Sequence, residues 1–285
     1  LTDVSMDITN FVDGILIQPN SDGSAPTTGT LSTATGNVGI GKSTFGALTS
    51  GDYNTAIGYN AMPVNTTGGN NTAIATQALL VNTTGGDNVA VGKAALYANT
   101  TGGNNTSLGR SSLRANTTAS NNVAVGHSAL YANTTGTDNA ALGHNALISN
   151  TTGSSNTAIG RAAVNSTTTG SYNTGVGHAA LNSNTTGYNS TAVGKQALQA
   201  QSTGHNNTAL GYQSMFSTTT GNGRNTAVGA GSMYTNTTGY QNSAVGYNAL
   251  RNNTTGYMNV ALGESAGNGN TTGIENAFIG FGAGV

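Results

Sequence analysis

The chain has 285 residues, 43 of them Gly and none Cys or Trp, with a net charge of −1 and only 6% charged side chains. The absence of Cys excludes a disulfide framework and any thiolate metal site. So few cations argue against polybasic nucleic-acid or membrane-surface binding, and no apolar run is long enough to span a bilayer.

Residues 1–36 read differently from the rest. They carry Asp3, Asp7, Asp13 and Asp22 and no Lys or Arg. The chain opens on Leu1, as a processed or partial product would, and residues 1–20 lack the basic start and uninterrupted apolar stretch of a signal peptide. Gly14-Ile15-Leu16-Ile17-Gln18 reads as a strand, and Pro19 to Thr30 as a loop rich in Ser, Gly, Pro and Thr. Residues 1–36 are therefore expected to form an N-terminal cap or junction segment to the region that follows.

From Asn37 the chain repeats every 17 residues, with units starting at 37, 54, 71, 88, 105, 122, 139, 156, 173, 190, 207, 225, 242, 259 and 276. The consensus is N-T-A-[VIL]-G-x-x-A-L-x-x-N-T-T-G-x-x. Position 4 is always aliphatic (Ile57, Val91, Leu108, Val125), and position 5 is Gly except at Ala75. Position 9 is nearly always large and apolar, as in Leu79, Leu96 and Met215. The single 18-residue step, from 207 to 225, places its extra residue in Gly221-Asn222-Gly223-Arg224, where it can bulge without moving the apolar positions.

Such a period without a long helical pattern predicts an all-β fold. The expected form is a parallel β-solenoid, or β-roll, of about fourteen 17-residue coils over residues 37–285. Positions 1–5 are expected as a short strand ended by a Gly with φ > 0, positions 6–9 as a helical turn or second strand, and Asn-Thr-Thr-Gly as a turn whose Gly supplies a special dihedral. Coils stacked at about 4.8 Å would make a rod on the order of 65–70 Å long. Stacking sets like over like. Position-4 aliphatics form one ladder, position-9 Leu/Met a second, and Asn an amide ladder. Two large apolar side chains per coil are thin cover for the entropy of ordering 17 residues. Several chains sharing these ladders about a three-fold axis would close the apolar face, which predicts a homotrimer.

Units such as Asn54-Thr55-Ala56-Ile57-Gly58-Tyr59-Asn60-Ala61-Met62, followed by Asn65-Thr66-Thr67-Gly68, resemble the repeats of bacteriophage tail-fibre proteins, notably cyanophage-like ones. Leu1-Thr2-Asp3-Val4 and Gly36-Asn37-Val38-Gly39-Ile40-Gly41 resemble other segments of phage fibres. The N-x-A-[VI]-G core is also similar to the head repeats of trimeric autotransporter adhesins, which are left-handed parallel β-rolls with shorter repeats. The resemblance implies a structural fibre or adhesin, in first place a tail-fibre or virion-appendage shaft involved in host-surface attachment. Its partners would be copies of itself, other virion or tail proteins and a cell-surface glycan or receptor, and its location a virion or an extracellular surface. A bacterial trimeric surface adhesin is the alternative, and an ice-binding solenoid using the Thr rows of positions 13–14 a third. Adjacent Thr in an extended segment point to opposite faces, which weakens the ice reading.

Position 6 holds the chemistry. Tyr59, Lys93, Arg110, His127, His144, Arg161, His178, Tyr212 and Tyr247 would form a row suited to stacking on sugar rings and pairing with acidic glycans. A solvated edge is the plainer account of the same row. His127 and His144 fall on adjacent coils, but neighbouring Ser, Ala and Asn give a metal no further ligands. Tyr188, Tyr240, Tyr257 and His205 form a second row at position 16, and Tyr97, Tyr131, Phe216 and Tyr234 cover the core from position 10. No paired acids, P-loop lysine or Asp-rich calcium repeat is present, so neither a catalytic site nor a metal or cofactor is expected. Asn-Thr-Thr at Asn65, Asn82, Asn99 and Asn133 matches a glycosylation acceptor, though turn chemistry alone accounts for it.

Overall fold

The computed structural model describes residues 4–5, 14–17, 33–220 and 223–285, with backbone only at 4–5. The loop expected over Pro19–Thr30 lies outside the described residues. The fold is a parallel β-solenoid of about fourteen turns with no helix among the described residues. It divides into two compact units, Leu1–Asn139 and Ala140–Val285.

In the first unit, strands Ile15–Ile17, Val38–Ile40, Thr55–Ile57, Thr72–Ile74, Val89–Val91, Thr106–Leu108 and Val123–Val125 pair in parallel, each with the next. Val4–Ser5 adds an antiparallel strand beside Ile15–Ile17. The strand expected at 14–18 is thus a rung of the sheet, with Leu16 opposite Gly39 and buried. In the second unit nine strands follow the same rule, from Ala140–Leu142 to Ala277–Ile279. Thr208 pairs with Thr226 across the 18-residue step, so the insertion leaves the register intact. Gly221 and Asn222 lie outside the described residues.

The interior is narrower than the sequence suggests. Alanines at positions 3 and 8 (Ala56, Ala61) and the large side chain at position 9 (Met62, Leu79, Leu96) are buried, and Asn at positions 1 and 12 fills the rest. Position 4 does not belong to it. Val91, Leu108 and Val125 are in register but point outward, with Leu108 47% exposed. The reason is the period of two along a strand. Once Ala at position 3 faces inward, positions 2 and 4 must face out.

Core volume is balanced within a coil or between neighbouring coils, as close packing requires. Phe45 replaces Leu at position 9 where position 3 is Gly39; a Cβ there would lie 2.9 Å from the Phe45 ring and 2.7 Å from Leu16 Cδ1. Gly267 at position 9 makes room for Phe278, at position 3 of the next coil; a Cβ on Gly267 would lie 2.7 Å from the Phe278 ring. Ser107 and Ser112 replace the two alanines of one coil together. Their hydroxyls bond each other, and Ser107 Oγ donates to the Ser112 carbonyl at 2.9 Å.

The two Asn columns converge on one acceptor. Asn71 and Asn82 Nδ2 both donate to the Gly85 carbonyl, each at 2.9 Å. Asn71 Oδ1 accepts the backbone N–H of Asn88 at 3.0 Å, and Asn82 Oδ1 accepts Asn99 Nδ2 at 2.8 Å. Position 15, Gly in every complete coil except at Ala119, is therefore Gly for closeness rather than dihedral, correcting the expectation. It lacks a positive φ, and a Cβ on Gly85 would sit 2.6 Å from Asn82 Oδ1. Position 5 does have φ near +130°, as at Gly58 (+132°). Positions 6–9 are neither a helical turn nor a strand. Positions 7 and 9 take left-handed φ in coil after coil, as at Asn60 (52°) and Met62 (51°), and throw the side chain at 9 into the core. Asn65, Asn82, Asn99 and Asn133 are buried and their amides hydrogen-bonded, so Asn-Thr-Thr is a structural turn in the folded chain.

Position 12 is not Asn at Leu48, Thr167, Gln201 and Thr218, and one of these coils departs from the amide pattern at both positions. Ser190 stands at position 1 and Gln201 at position 12, and the longer side chain reaches the shorter one. Gln201 Nε2 donates to Ser190 Oγ at 3.1 Å and its Oε1 accepts Asn207 Nδ2 at 2.8 Å. The diversion leaves buried Asn184 Oδ1 without a hydrogen-bond partner. Returning Asn to both positions with S190N/Q201N, in a T218N background so that the shorter amide introduced at position 201 again meets an amide one coil on, is expected to raise unfolding free energy by about 1–3 kcal/mol. Neither single change should reach that gain, and chemical denaturation of the four species measures the coupling. Ala75, at φ 103°, is the non-glycine at position 5. Ala75→Gly should stabilise by about 1 kcal/mol, strain relief exceeding the added unfolded-state entropy; a lower melting temperature would contradict this.

Candidate functional site: the surface columns at positions 6 and 10

The chain bends at the position-5 Gly, and position 6 emerges just beyond the strand. Tyr59, Lys93, Arg110 and His127 are exposed in the first unit, and His144, Arg161, His178, Tyr212 and Tyr247 in the second. All nine residues expected to meet a ligand thus stand at the surface of their own unit. Their surroundings differ. In the second unit Lys195 Nζ lies 5.9 Å from the Tyr212 ring centroid, one position-6 side chain over the next. In the first unit Lys93, Arg110 and His127 line one depression with Gln77, Ser111, Arg114, Ser128 and Tyr131.

Arg114 was not among the residues singled out from the sequence. It occupies position 10, between Tyr97 and Tyr131 in the same column. Its guanidinium carbon lies 4.9 Å from the Tyr97 centroid and 5.7 Å from that of Tyr131, and Nη1 donates to the Tyr131 hydroxyl at 3.0 Å. The rings hold the cation by cation–π attraction. The signal was present at 17-residue spacing: Tyr97, Arg114, Tyr131. The second unit repeats the device, with Arg251 4.7 Å from the Tyr234 centroid and Tyr234 stacked on Phe216 at 5.1 Å. The position-10 aromatics therefore stack along the column as well as flanking the core.

The position-16 row is also built. Tyr188 stacks on His205 at 4.8 Å and Tyr240 on Tyr257 at 4.7 Å. His205, Arg224, Tyr240 and Gln241 line a second depression. Among the described residues no group of three or more His, Cys, Asp or Glu is placed to hold a metal ion, and no helix is long and apolar enough to cross a membrane. The Thr of position 13 turns its hydroxyl to the stack: Thr66 Oγ1 donates to the Thr83 carbonyl at 3.0 Å, and Thr83 Oγ1 to that of Thr100 at 3.1 Å.

The third surface is the outer face of the sheet. Position 2 carries Thr, Val, Ser or Ala, position 4 only Ile, Val or Leu, and no charge interrupts either column. Leu142 and Leu262 are half exposed there, at 50% and 51%. No family model, curated protein or solved structure matches the chain.

Arg114→Ala is expected to destabilise the first unit by about 1–2 kcal/mol, through two lost cation–π contacts and one hydrogen bond. Tyr131→Phe, which keeps the ring, should cost less than half as much. Equal costs in urea denaturation would mean that the hydroxyl, not the ring, holds the guanidinium.

Proposed function

We propose that this chain is the shaft of a structural fibre, of phage tail-fibre or virion-appendage type, that assembles as a homotrimer and takes part in attachment to a host surface. The observation that carries the reading is the outer sheet face. Parallel sheets are characteristically covered on both faces, and their strands are aliphatic for that reason. Here one face is covered by the chain's own interior and the other presents an unbroken aliphatic column in each unit. A contiguous apolar surface of that kind is an association surface. Its occupant is a second copy of the chain. The column is uncharged and repeats along the stack, so a copy offers the same chemistry at the same spacing, and a three-fold arrangement leaves no apolar face over.

Covering that face also adds the apolar burial that the Ala- and Asn-rich interior lacks. With its face closed by sister chains, the solenoid presents Thr, Asn and Ser with scattered cations and aromatics, as a shaft that meets a cell surface would. A trimeric bacterial adhesin shares this architecture and differs in carrying a membrane anchor elsewhere in the gene. The ice-binding reading loses one of its Thr columns to the hydrogen bonds within the stack.

Multi-angle light scattering of the purified chain is expected to give three times the chain mass. Placing a charge in each unit with L108K/L142K should dissociate that species or drive it into aggregates, since three like charges would be buried about the axis. A folded wild-type monomer at micromolar concentration would end the assembly reading.

A further inference from the structure

We propose that the depression around Arg114 is a binding site for an acidic oligosaccharide, whose carboxylate or sulfate groups are held by Lys93, Arg110 and Arg114. The proposal deepens the attachment half of the functional reading by naming its ligand class and its place.

Charge distribution is the first support. The whole chain has eight Lys and Arg, and three of them fall within residues 93–114. Stacking brings them together, because Lys93 and Arg110 share position 6 on consecutive coils and Arg114 shares a coil with Arg110. His127 extends the row by one coil. All four line one depression, and no carboxylate is among its lining residues. Clustered like charges raise the energy of the folded chain, and a surface that needed charge only for solubility would space them apart.

Pre-organisation is the second. Arg114 is fixed between two tyrosine rings, and one of its five donors goes to the Tyr131 hydroxyl. The remaining donors are available to a planar carboxylate or a sulfate, with much of the side-chain entropy already spent. Lys93 and Arg110 are exposed and supply mobile charge beside this fixed one.

The neutral lining selects a saccharide. Ser111 and Ser128 hydroxyls and the Gln77 amide stand among the cations and match a ligand rich in hydroxyls. Nucleic acid fits less well. Its affinity comes from many phosphates neutralised in a row, whereas the position-6 column passes to Thr76 one coil before Lys93. The tyrosine faces toward the site, which would otherwise stack bases, are occupied by Arg114. From Lys93 to the His127 imidazole the row covers three consecutive coils, about 10 Å at the spacing of neighbouring strands, room for about two sugar rings.

The test is surface plasmon resonance on the full chain. The probes are a sulfated and a uronate tetrasaccharide, a neutral glucose tetrasaccharide and an oligothymidylate of matched charge. At least one acidic tetrasaccharide is expected to bind, with affinity falling as salt rises, and the neutral one should not. K93Q/R110Q, which leaves the Arg114 stack intact, should weaken binding roughly tenfold, and K93Q/R110Q/R114Q more. The proposal is overturned if neither acidic saccharide binds, if the neutral saccharide or the oligothymidylate binds as well, or if K93Q/R110Q binds like the wild type. Light scattering on the same samples separates the two claims. A trimer that binds no saccharide sinks this site alone, and a monomer that binds it sinks only the assembly.

Discussion

Everything in this molecule depends on a buried amide finding the same amide one coil away. Asn at positions 1 and 12 carries polar groups into an interior lined by Ala and Leu, where an unpaired amide is costly. The cost is met only if each coil lies in register on the last. Both side chains of a coil then reach one glycine carbonyl, and each Oδ1 accepts from the neighbouring coil. A coil shifted by one residue would leave several buried donors and acceptors empty at once. The amide columns therefore act as a register lock, and the apolar side chains fill the space that the lock defines.

The glycines follow from this lock rather than from a general need for flexibility. At Gly85 a Cβ would press on the Gly102 carbonyl of the next coil and on Asn82 Oδ1, and the one coil that carries a Cβ at position 15, at Ala119, still offers its carbonyl to both amides. At position 5 the backbone must turn the corner with φ near +130° while lying against the glycine of the next coil. Left-handed φ at positions 7 and 9 costs the chain something at nearly every coil. It is retained because it points the position-9 side chain inward, the one large apolar group that each coil buries.

The same stacking that builds the core arranges the surface. Any residue type that recurs at one position becomes a column, whether or not the core has use for it. Columns of Tyr, Phe and Arg at position 10 hold one another by ring stacking and cation–π contact. A column of Lys, Arg and His at position 6 gathers sparse charge into one place in the first unit. Chemistry that is dilute along the chain is thereby concentrated in space.

The 17-residue period was legible from residues alone, and with it the parallel register, the Asn columns and the exposure of position 6, because a stack copies sequence spacing directly into space. The strand at Ile15–Ile17 was legible as well, though not its place as a rung in the sheet. What the sequence did not decide is which way each side chain points. Ile, Val and Leu at position 4 are as apolar as Leu at position 9, and composition assigns both to a core. Only the folded coil shows that Ala at position 3 takes the inward direction and forces position 4 outward. Arg114 escaped notice for a related reason: a lone cation acquires meaning only when the stack sets it between Tyr97 and Tyr131, groups 17 residues to either side.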